Sequence, residues 1–308
     1  MFRKYNTFLG ALAACVLLAL PAVAASSAIP GTLNYVEGQV SVAGQTVTSH
    51  SVGSLQVEPN QVLETGQGRA ELLLTPGVFL RVGENSAVRL VSPGIADTRV
   101  EVLRGQAIVE AAELFKDNNL WVMMNGAFTR LGKEGLYAFN ASTGLVQVFD
   151  GQATVEQNDR HIDLKKGHEL AIGGPWKAGH FDTKSPTAQG PLYAWSNLRS
   201  EYEAQASMQS ARTVLVAGGP YWNGPGWYWN PYWDMYGFIP GDGIWYSPFG
   251  WPFYSPWVVG RYGYGYGFRG YGHVSNSAIA SSGHIAASAR VGGFAGGVHG
   301  GFGGGGRR

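Results

Sequence analysis

The chain has 308 residues, a formal net charge of +1 and only 14% charged residues. That balance leaves no basic face for a nucleic-acid partner. Its single cysteine, Cys15, excludes a disulfide framework and thiolate metal clusters.

Residues 1–24 read as a secretory signal. Arg3 and Lys4 open it, residues 8–20 are apolar, and Ala22-Val23-Ala24 has the small-x-small cleavage pattern. The apolar run is shorter than the roughly 20 residues that span a bilayer, so removal before Ala25 is expected rather than retention as an anchor. The predicted location is the periplasm or the outer cell surface. Leu12-Ala13-Ala14-Cys15 resembles a lipobox, which makes lipidation at Cys15 the alternative, although the apolar run continues past that cysteine. Cleavage before Ala25 leaves a mature chain without cysteine, held by core burial.

From 30 to 174 short alternating segments follow one another, separated by Gly, Pro, Asn and Asp. They include 32–36, 39–42, 70–74, 78–82, 87–91, 99–103, 107–110, 120–123, 128–131, 136–140, 146–149 and 153–157. This spacing predicts an all-β domain, and about 145 residues suffice for one core. Ala111-Ala112-Glu113-Leu114 is the exception, expected as a helical turn or a bulged corner. The phrase Gly-Gln-Ala-x-Val-Glu occurs at 105–110 and again at 151–156, with a looser copy at 38–42. A phrase recurring at fixed spacing marks repeated supersecondary structure. Each copy reads as strand, tight glycine turn, strand, so the unit is a hairpin or a sheet corner.

Residues 191–216 change period. Leu192, Trp195, Leu198 or Arg199, and Tyr202 follow three-and-four spacing, which predicts an amphipathic helix docked on the β-domain through Trp195 and Tyr202. After 218 the composition shifts again. Trp222, Trp227, Trp229, Trp233, Trp245, Trp251 and Trp257 lie among prolines and glycines up to about 260, and a Gly-rich tail fills 261–308. With few aliphatic residues, 218–308 is expected to be low-complexity and largely disordered when isolated.

The β-region carries a more specific signal. Leu63-Glu64-Thr65-Gly66 leads into Ala70-Glu71-Leu72-Leu73-Leu74-Thr75-Pro76-Gly77. Leu80-Arg81-Val82-Gly83-Glu84-Asn85-Ser86 follows, then Leu103-Arg104-Gly105-Gln106-Ala107, Val148-Phe149-Asp150-Gly151-Gln152-Ala153, and Leu164-Lys165-Lys166-Gly167-His168-Glu169. Together these resemble the FecR-like domain family, named for regulators of ferric-citrate uptake in Gram-negative bacteria. The resemblance covers nearly half of the chain. It departs at Pro59-Asn60, where the family often has Gly-Asp, and signalling members place a sigma-factor-binding domain and a transmembrane helix before the β-domain. What the resemblance implies is an exported FecR-like β-domain, solenoid-like or sandwich-like, serving as a contact scaffold. It brings no catalytic residues to map.

Candidate chemistry is sparse. His161 and Asp163 share a strand face near His168 and Glu169, but a metal site needs a third rigid ligand, and a solvated edge is expected instead. No nucleophile elbow, phosphate loop or zinc-protease helix occurs, so neither enzyme activity nor a cofactor is expected. The seven tryptophans are the candidate binding residues, because flat aromatic faces stack on sugars and sit well at membrane interfaces. Three uses stay open: contact with polysaccharide, peptidoglycan or a membrane surface; wrapping of the β-domain to finish its packing; and self-association through Tyr-Gly repeats. The expected role is a non-enzymatic structural or binding module of the cell envelope. The alternative is a periplasmic sensor acting with a separate membrane-spanning partner.

Overall fold

The computed structural model describes residues 28–216 and 224–263. Residues 1–24, expected as a signal and including Cys15, as well as Trp222 and the chain beyond 263, lie outside the described residues.

The β-region folds as one sheet of 15 strands. Its first strands are β1 (Leu33–Val42), β2 (Gln45–Val47), β3 (Val62–Leu73), β4 (Val78–Val82), β5 (Ala87–Pro93), β6 (Asp97–Arg104) and β7 (Gln106–Ala111). Then come β8 (Asn119–Met124), β9 (Ala127–Leu131), β10 (Gly135–Asn140), β11 (Leu145–Asp150), β12 (Gln152–Gln157), β13 (Arg160–Lys165), β14 (His168–Ala171) and β15 (Gly179–His180). The order along the sheet is β13-β12-β9-β8-β6-β5-β3-β4-β7-β10-β11-β14-β15, with β1 alongside β3 and β2 beside β1. All pairings are antiparallel except β6 with β8.

The sheet folds over on itself. Val100, Val102, Leu120, Val122, Val155 and Leu164 of one half share a core with Leu72, Leu80, Val109, Tyr137, Phe139 and Val148 of the other. Strand β3 belongs to both halves, since Val62, Leu63 and Glu64 pair with β5 and residues 70–73 pair with β4. Strand β1 follows β3 through the same bend, with Gly38 opposite Gly68 and a register shift beside it.

The repeated phrase marks the other crossings. β6 and β7 are consecutive in the chain yet lie in different halves, joined at Gly105; β11 and β12 are joined in the same way at Gly151. The three copies at 38, 105 and 151 are therefore sheet corners rather than hairpins. Gly105 has φ +72°, and a Cβ there would lie 2.2 Å from Ser86 Oγ. Gly151 has φ +90°, and its Cβ would meet Tyr137 Oη at 2.3 Å. Only glycine combines that backbone with so close an approach. Between β7 and β8, where a helical turn or bulged corner was expected, the chain is irregular and closes in a turn at Lys116 and Asp117.

The outer face of one layer is also covered, so β4 is buried along its whole length. Helix α1 (Pro186–Val216) lies on it, broken at Gly190 (φ 56°, ψ 179°) just before Pro191. Residues 224–263 add two hairpins, β16 (Gly226–Asn230) with β17 (Met235–Ile239), and β18 (Ile244–Tyr246) with β19 (Pro252–Tyr254). A short helix α2 (Pro256–Gly263) follows. Within the whole chain this stretch is folded against the sheet. Phe79, Trp227, Tyr236, Phe238 and Phe253 form a second cluster over the sheet, together with Leu73, Ala112 and Ala204. The segment has few aliphatic residues, but it shares its core with Leu73 of β3, Phe79 of β4, Ala112 just after β7 and Ala204 of α1.

The docking face of α1 differs from the amphipathic expectation. Leu192 and Trp195 are buried, but Leu198 and Tyr202 are exposed. Beyond Trp195 the buried side is Ser196, Arg199, Ser200, Glu203, Ala204, Ser207 and Ala211. Small residues let the helix approach closely. Gly237 of β17 sits so near its backbone that a Cβ would lie 2.8 Å from Ser207 N. The apolar stripe is short because polar groups do the docking.

Candidate functional site

The tryptophan set divides. Trp227 is 4% exposed and packs edge-on against Phe79 at 4.9 Å and Phe238 at 5.7 Å between ring centroids. It is a core residue, which corrects its expected role as a free stacking face. Trp229 rests on the β-domain, its ring so close to Gly53 that a Cβ there would meet it at 2.3 Å. Trp251 donates its indole N–H to Asn197 Oδ1 of α1 at 2.8 Å, and Trp245 donates to Asp242 O at 3.0 Å. Trp233 and Trp257 stay exposed, at 37% and 73%. Tyr202 lies 5.6 Å from Trp233, ring to ring. Tyr232 and Tyr246 are exposed too, at 81% and 62%. The sequence reading passed over these tyrosines because it counted tryptophans alone.

A buried ionic cluster ties this segment and α1 to the sheet. Glu71 of β3, Arg81 of β4 and Glu110 of β7 are neighbours on the outer face, each fully buried. Arg81 donates through Nε to Glu71 Oε2 at 2.7 Å and through Nη1 to Glu110 Oε2. From the helix, Arg199 Nη2 donates to Glu71 Oε1 at 2.8 Å, and Ser200 Oγ donates to Glu110 Oε1 at 2.7 Å. Arg199 also lies 4.1 Å from the Tyr35 ring centroid. Asn34 of β1 completes the knot. Its Nδ2 donates to Glu203 Oε1 at 2.6 Å, and its Oδ1 accepts from Tyr236 N at 2.8 Å. Sheet, helix and C-terminal hairpin thus meet in one hydrogen-bonded group.

The charges nearly balance, with two arginines against three glutamates. Burial pushes Glu203 well above the usual carboxylate range, and the Glu71 charge beside it adds to the effect. Burial opposes ionisation of Glu71 as well, but Arg199 and Arg81 outweigh it and hold that carboxyl low. Burial pushes Glu110 up as well, with Arg81 and the Ser200 hydroxyl working against it, so Glu71 is the carboxyl that the two arginines hold low. A separate carboxyl, Glu113, is pushed up to about 7 by burial, with Glu134 and Asp242 adding to it.

Three of the phrases that resemble the FecR-like family, around Thr65, Ser86 and Gly105, meet at one corner. Thr65 Oγ1 accepts from Ser86 N at 2.9 Å, Asn85 N donates to Gly66 O at 2.8 Å, and Gln106 N donates to Ser86 Oγ at 2.8 Å. These residues hold β3, β5 and β7 together where the sheet bends. Their role is architectural. His161 lies on β13 opposite Glu156, and His168 lies on β14 with its ring 4.1 Å from His180. Among the described residues no group of three His, Cys, Asp or Glu side chains gathers as a metal site. Among them, too, no helix is long and apolar enough to cross a membrane.

No known family profile matches the chain, and no curated protein does. Two solved structures of a proposed anti-sigma factor from Parabacteroides distasonis ATCC 8503 are similar to part of it. One is 16% identical with a TM-score of 0.35, covering 41% of this chain and 62% of its own. The other is 14% identical with a TM-score of 0.36, covering 44% and 64%. The match thus spans less than two thirds of either structure's length.

Proposed function

We propose that this chain is a non-enzymatic, exported module of the cell envelope, built on a FecR-like β-domain and presenting an aromatic contact surface. The observation that carries the reading is the division of the aromatic segment. Trp227, Phe238 and Phe253 anchor it, while Tyr232, Trp233, Tyr246 and Trp257 stay in solvent. Exposed rings held by buried anchors are pre-organised for stacking on sugar rings or for insertion at a membrane interface. The test is a pull-down of the full chain on peptidoglycan sacculi, envelope polysaccharide and lipid vesicles, with and without the triple change Tyr232→Ser, Trp233→Ser, Trp257→Ser. Retention should fall at least severalfold on one of the three. Equal retention of wild type and variant on all three overturns the reading. Cell fractionation and the mass of the mature chain separate cleavage before Ala25 from lipidation at Cys15.

A second reading is a regulatory sensor acting with a membrane-spanning partner. It rests on the phrases around Thr65, Ser86 and Gly105, which resemble a family of regulators and meet in one corner. The description of the two Parabacteroides proteins is of the regulatory kind, and it remains a statement about them. In-cell crosslinking followed by identification of the captured membrane protein tests this reading. Capture of cell-wall material alone goes against it.

A further inference from the structure

The outer face of the sheet is not covered throughout. The ends of β7, β10, β11 and β14 lie under residues 181–193, which lead into α1 and carry its break at Gly190. Between them lies a groove of about 610 Å³, well inside the range that holds small ligands.

Its floor is a sheet surface with unusual side chains. Asn140 sits opposite Gln106 across β10 and β7, and Gln147 sits opposite Glu169 across β11 and β14. Gln147 Nε2 donates to Glu169 Oε2 at 2.8 Å, which fixes that pair. The roof contributes Gln189 and Tyr193. One end is aromatic, where Phe149 meets Phe181 at 5.0 Å and Tyr193 at 4.9 Å between centroids. Elsewhere on the same outer face lie Leu73 and Phe79 together with the charged Glu71, Arg81 and Glu110, all covered. Gln106, Asn140 and Gln147 are instead at least partly exposed.

We infer that this groove is a binding site for a neutral oligosaccharide, separate from the exposed tryptophans. Three observations carry the assignment. No lysine, arginine or histidine lines the groove, whereas the carboxylates of Glu169 and Asp182 do. A phosphate, sulfate or carboxylate ligand would therefore find no counter-charge and two repelling groups. Ile108, Ala138, Phe149 and Leu192 supply apolar wall, but a wholly apolar ligand would strip water from Gln106, Asn140 and the two carboxylates without replacing those hydrogen bonds. Amide and carboxylate groups on neighbouring strands are about 5 Å apart, and successive outward residues on one strand are about 7 Å apart. That is the scale on which a pyranose ring presents hydroxyls. The Phe181 and Tyr193 rings offer the flat faces that sugar C–H groups need. An extended peptide is the rival occupant, and it differs in wanting a free strand edge rather than an array of side chains.

The experiment is calorimetry and saturation-transfer NMR on the full chain with tetramers of N-acetylglucosamine and of glucose, and with a set of extended tetrapeptides. Two groove variants, Gln147→Ala and Ala138→Trp, are compared with Ile95→Ser at an exposed position outside both surfaces, and with Trp257→Ser on the aromatic rim. The proposal expects one of the sugars to bind, about tenfold weaker binding with Gln147→Ala, in line with the loss of one well-placed hydrogen bond, no binding with Ala138→Trp, and unchanged binding with Ile95→Ser. Saturation transfer from the Phe181 and Tyr193 rings to ring protons of the sugar locates the contact. Three results each overturn the proposal: absence of binding to either sugar, binding to the peptides instead, or sugar binding that survives both groove variants. Loss of sugar binding with Trp257→Ser but not with the groove variants would return the activity to the aromatic rim.

Discussion

Arg199 and Glu71 lie 128 residues apart in the chain and meet at 2.8 Å with both side chains buried. The pair joins helix α1 to strand β3 inside the protein. Removing one member leaves an uncompensated buried charge, which typically costs about 3–5 kcal/mol. Arg199→Met should therefore destabilise the chain by about 3 kcal/mol. Urea unfolding followed by tryptophan fluorescence measures it. A loss under about 1 kcal/mol would mean that the helix docks by packing alone.

The same cluster sets a pH dependence with two opposed arms. Glu71 has a folded pKa below the ordinary 4.5, so its stabilisation is full above 4.5 and is lost as pH falls through the folded value. Glu203 has a folded pKa well above 4.5. Below 4.5 both its states are protonated. Above 4.5 the unfolded chain ionises while the native one keeps its proton, so stability declines as pH rises. Glu203→Gln removes that decline. The variant should match wild type near pH 4 and exceed it at pH 7, the gap opening as pH rises. Glu71→Gln should do the reverse, with its full loss at pH 7 and a smaller one near pH 3. Unfolding titrations at these pH values separate the two.

Glu113 supplies an independent check on the sign. Its folded pKa is raised from 4.5 to about 7, so its share of stability is lost between those values as pH increases. Glu113→Gln should leave stability near pH 4.5 little changed and raise it at pH 8 by about 1–2 kcal/mol, less than the full shift would give because solvent screens this incompletely buried carboxyl. A melting series across that interval decides the matter, and parallel curves for wild type and variant would show that the carboxyl titrates normally.

What the sequence revealed follows from where its signal is local. The Gly-Gln-Ala phrases announced the corners because a glycine with forced φ and a following alternating strand are both readable in five residues. Residues 62–69 of β3 were missed because Gly66 and Gly68 carry no side chain to mark a face. β13 was missed because only Leu164 of that strand is fully buried. The face of α1 was misassigned for another reason. Its buried groups are Ser196, Arg199, Ser200 and Glu203, so a search for apolar periodicity picked Tyr202, which is on the rim. A charge inside an apolar strand, as at Arg81 in Val78-Phe79-Leu80-Arg81-Val82, was the available clue. Glu71 and the Arg199–Glu203 spacing of four residues were its counterparts.

The corner glycines predict a steep contrast. At Gly105 an added Cβ meets Ser86 Cα at 2.7 Å as well as its Oγ, with φ +72°. Gly44 has φ +78° and nothing within 4 Å of the same position. Gly44→Ala should cost about 1–2 kcal/mol, the backbone strain alone. Gly105→Ala should cost about 3 kcal/mol or more, since strain and overlap add. Denaturation of the two variants side by side gives the difference. Equal losses would mean that β5 moves aside freely, and the corner would then be softer than its hydrogen bonds to Thr65 and Gln106 imply.

The aromatic segment is the last point at which composition and structure part. Gly and Pro spacing suggested that 218–260 holds no core, yet an aromatic side chain buries about 150–250 Å², so a few rings suffice when a sheet face supplies the other wall. Trp227→Ala should therefore act as a core truncation, costing about 3–5 kcal/mol. Trp257→Ala should stay within about 0.5 kcal/mol, as for an exposed position. Pairing Trp227→Ala with Phe79→Ala in a double-mutant cycle should give a coupling of about 1 kcal/mol, the signature of an edge-on ring contact. Zero coupling would indicate that the segment lies against the sheet without packing into it, and residues 224–263 would then be a cover that can lift rather than part of the fold.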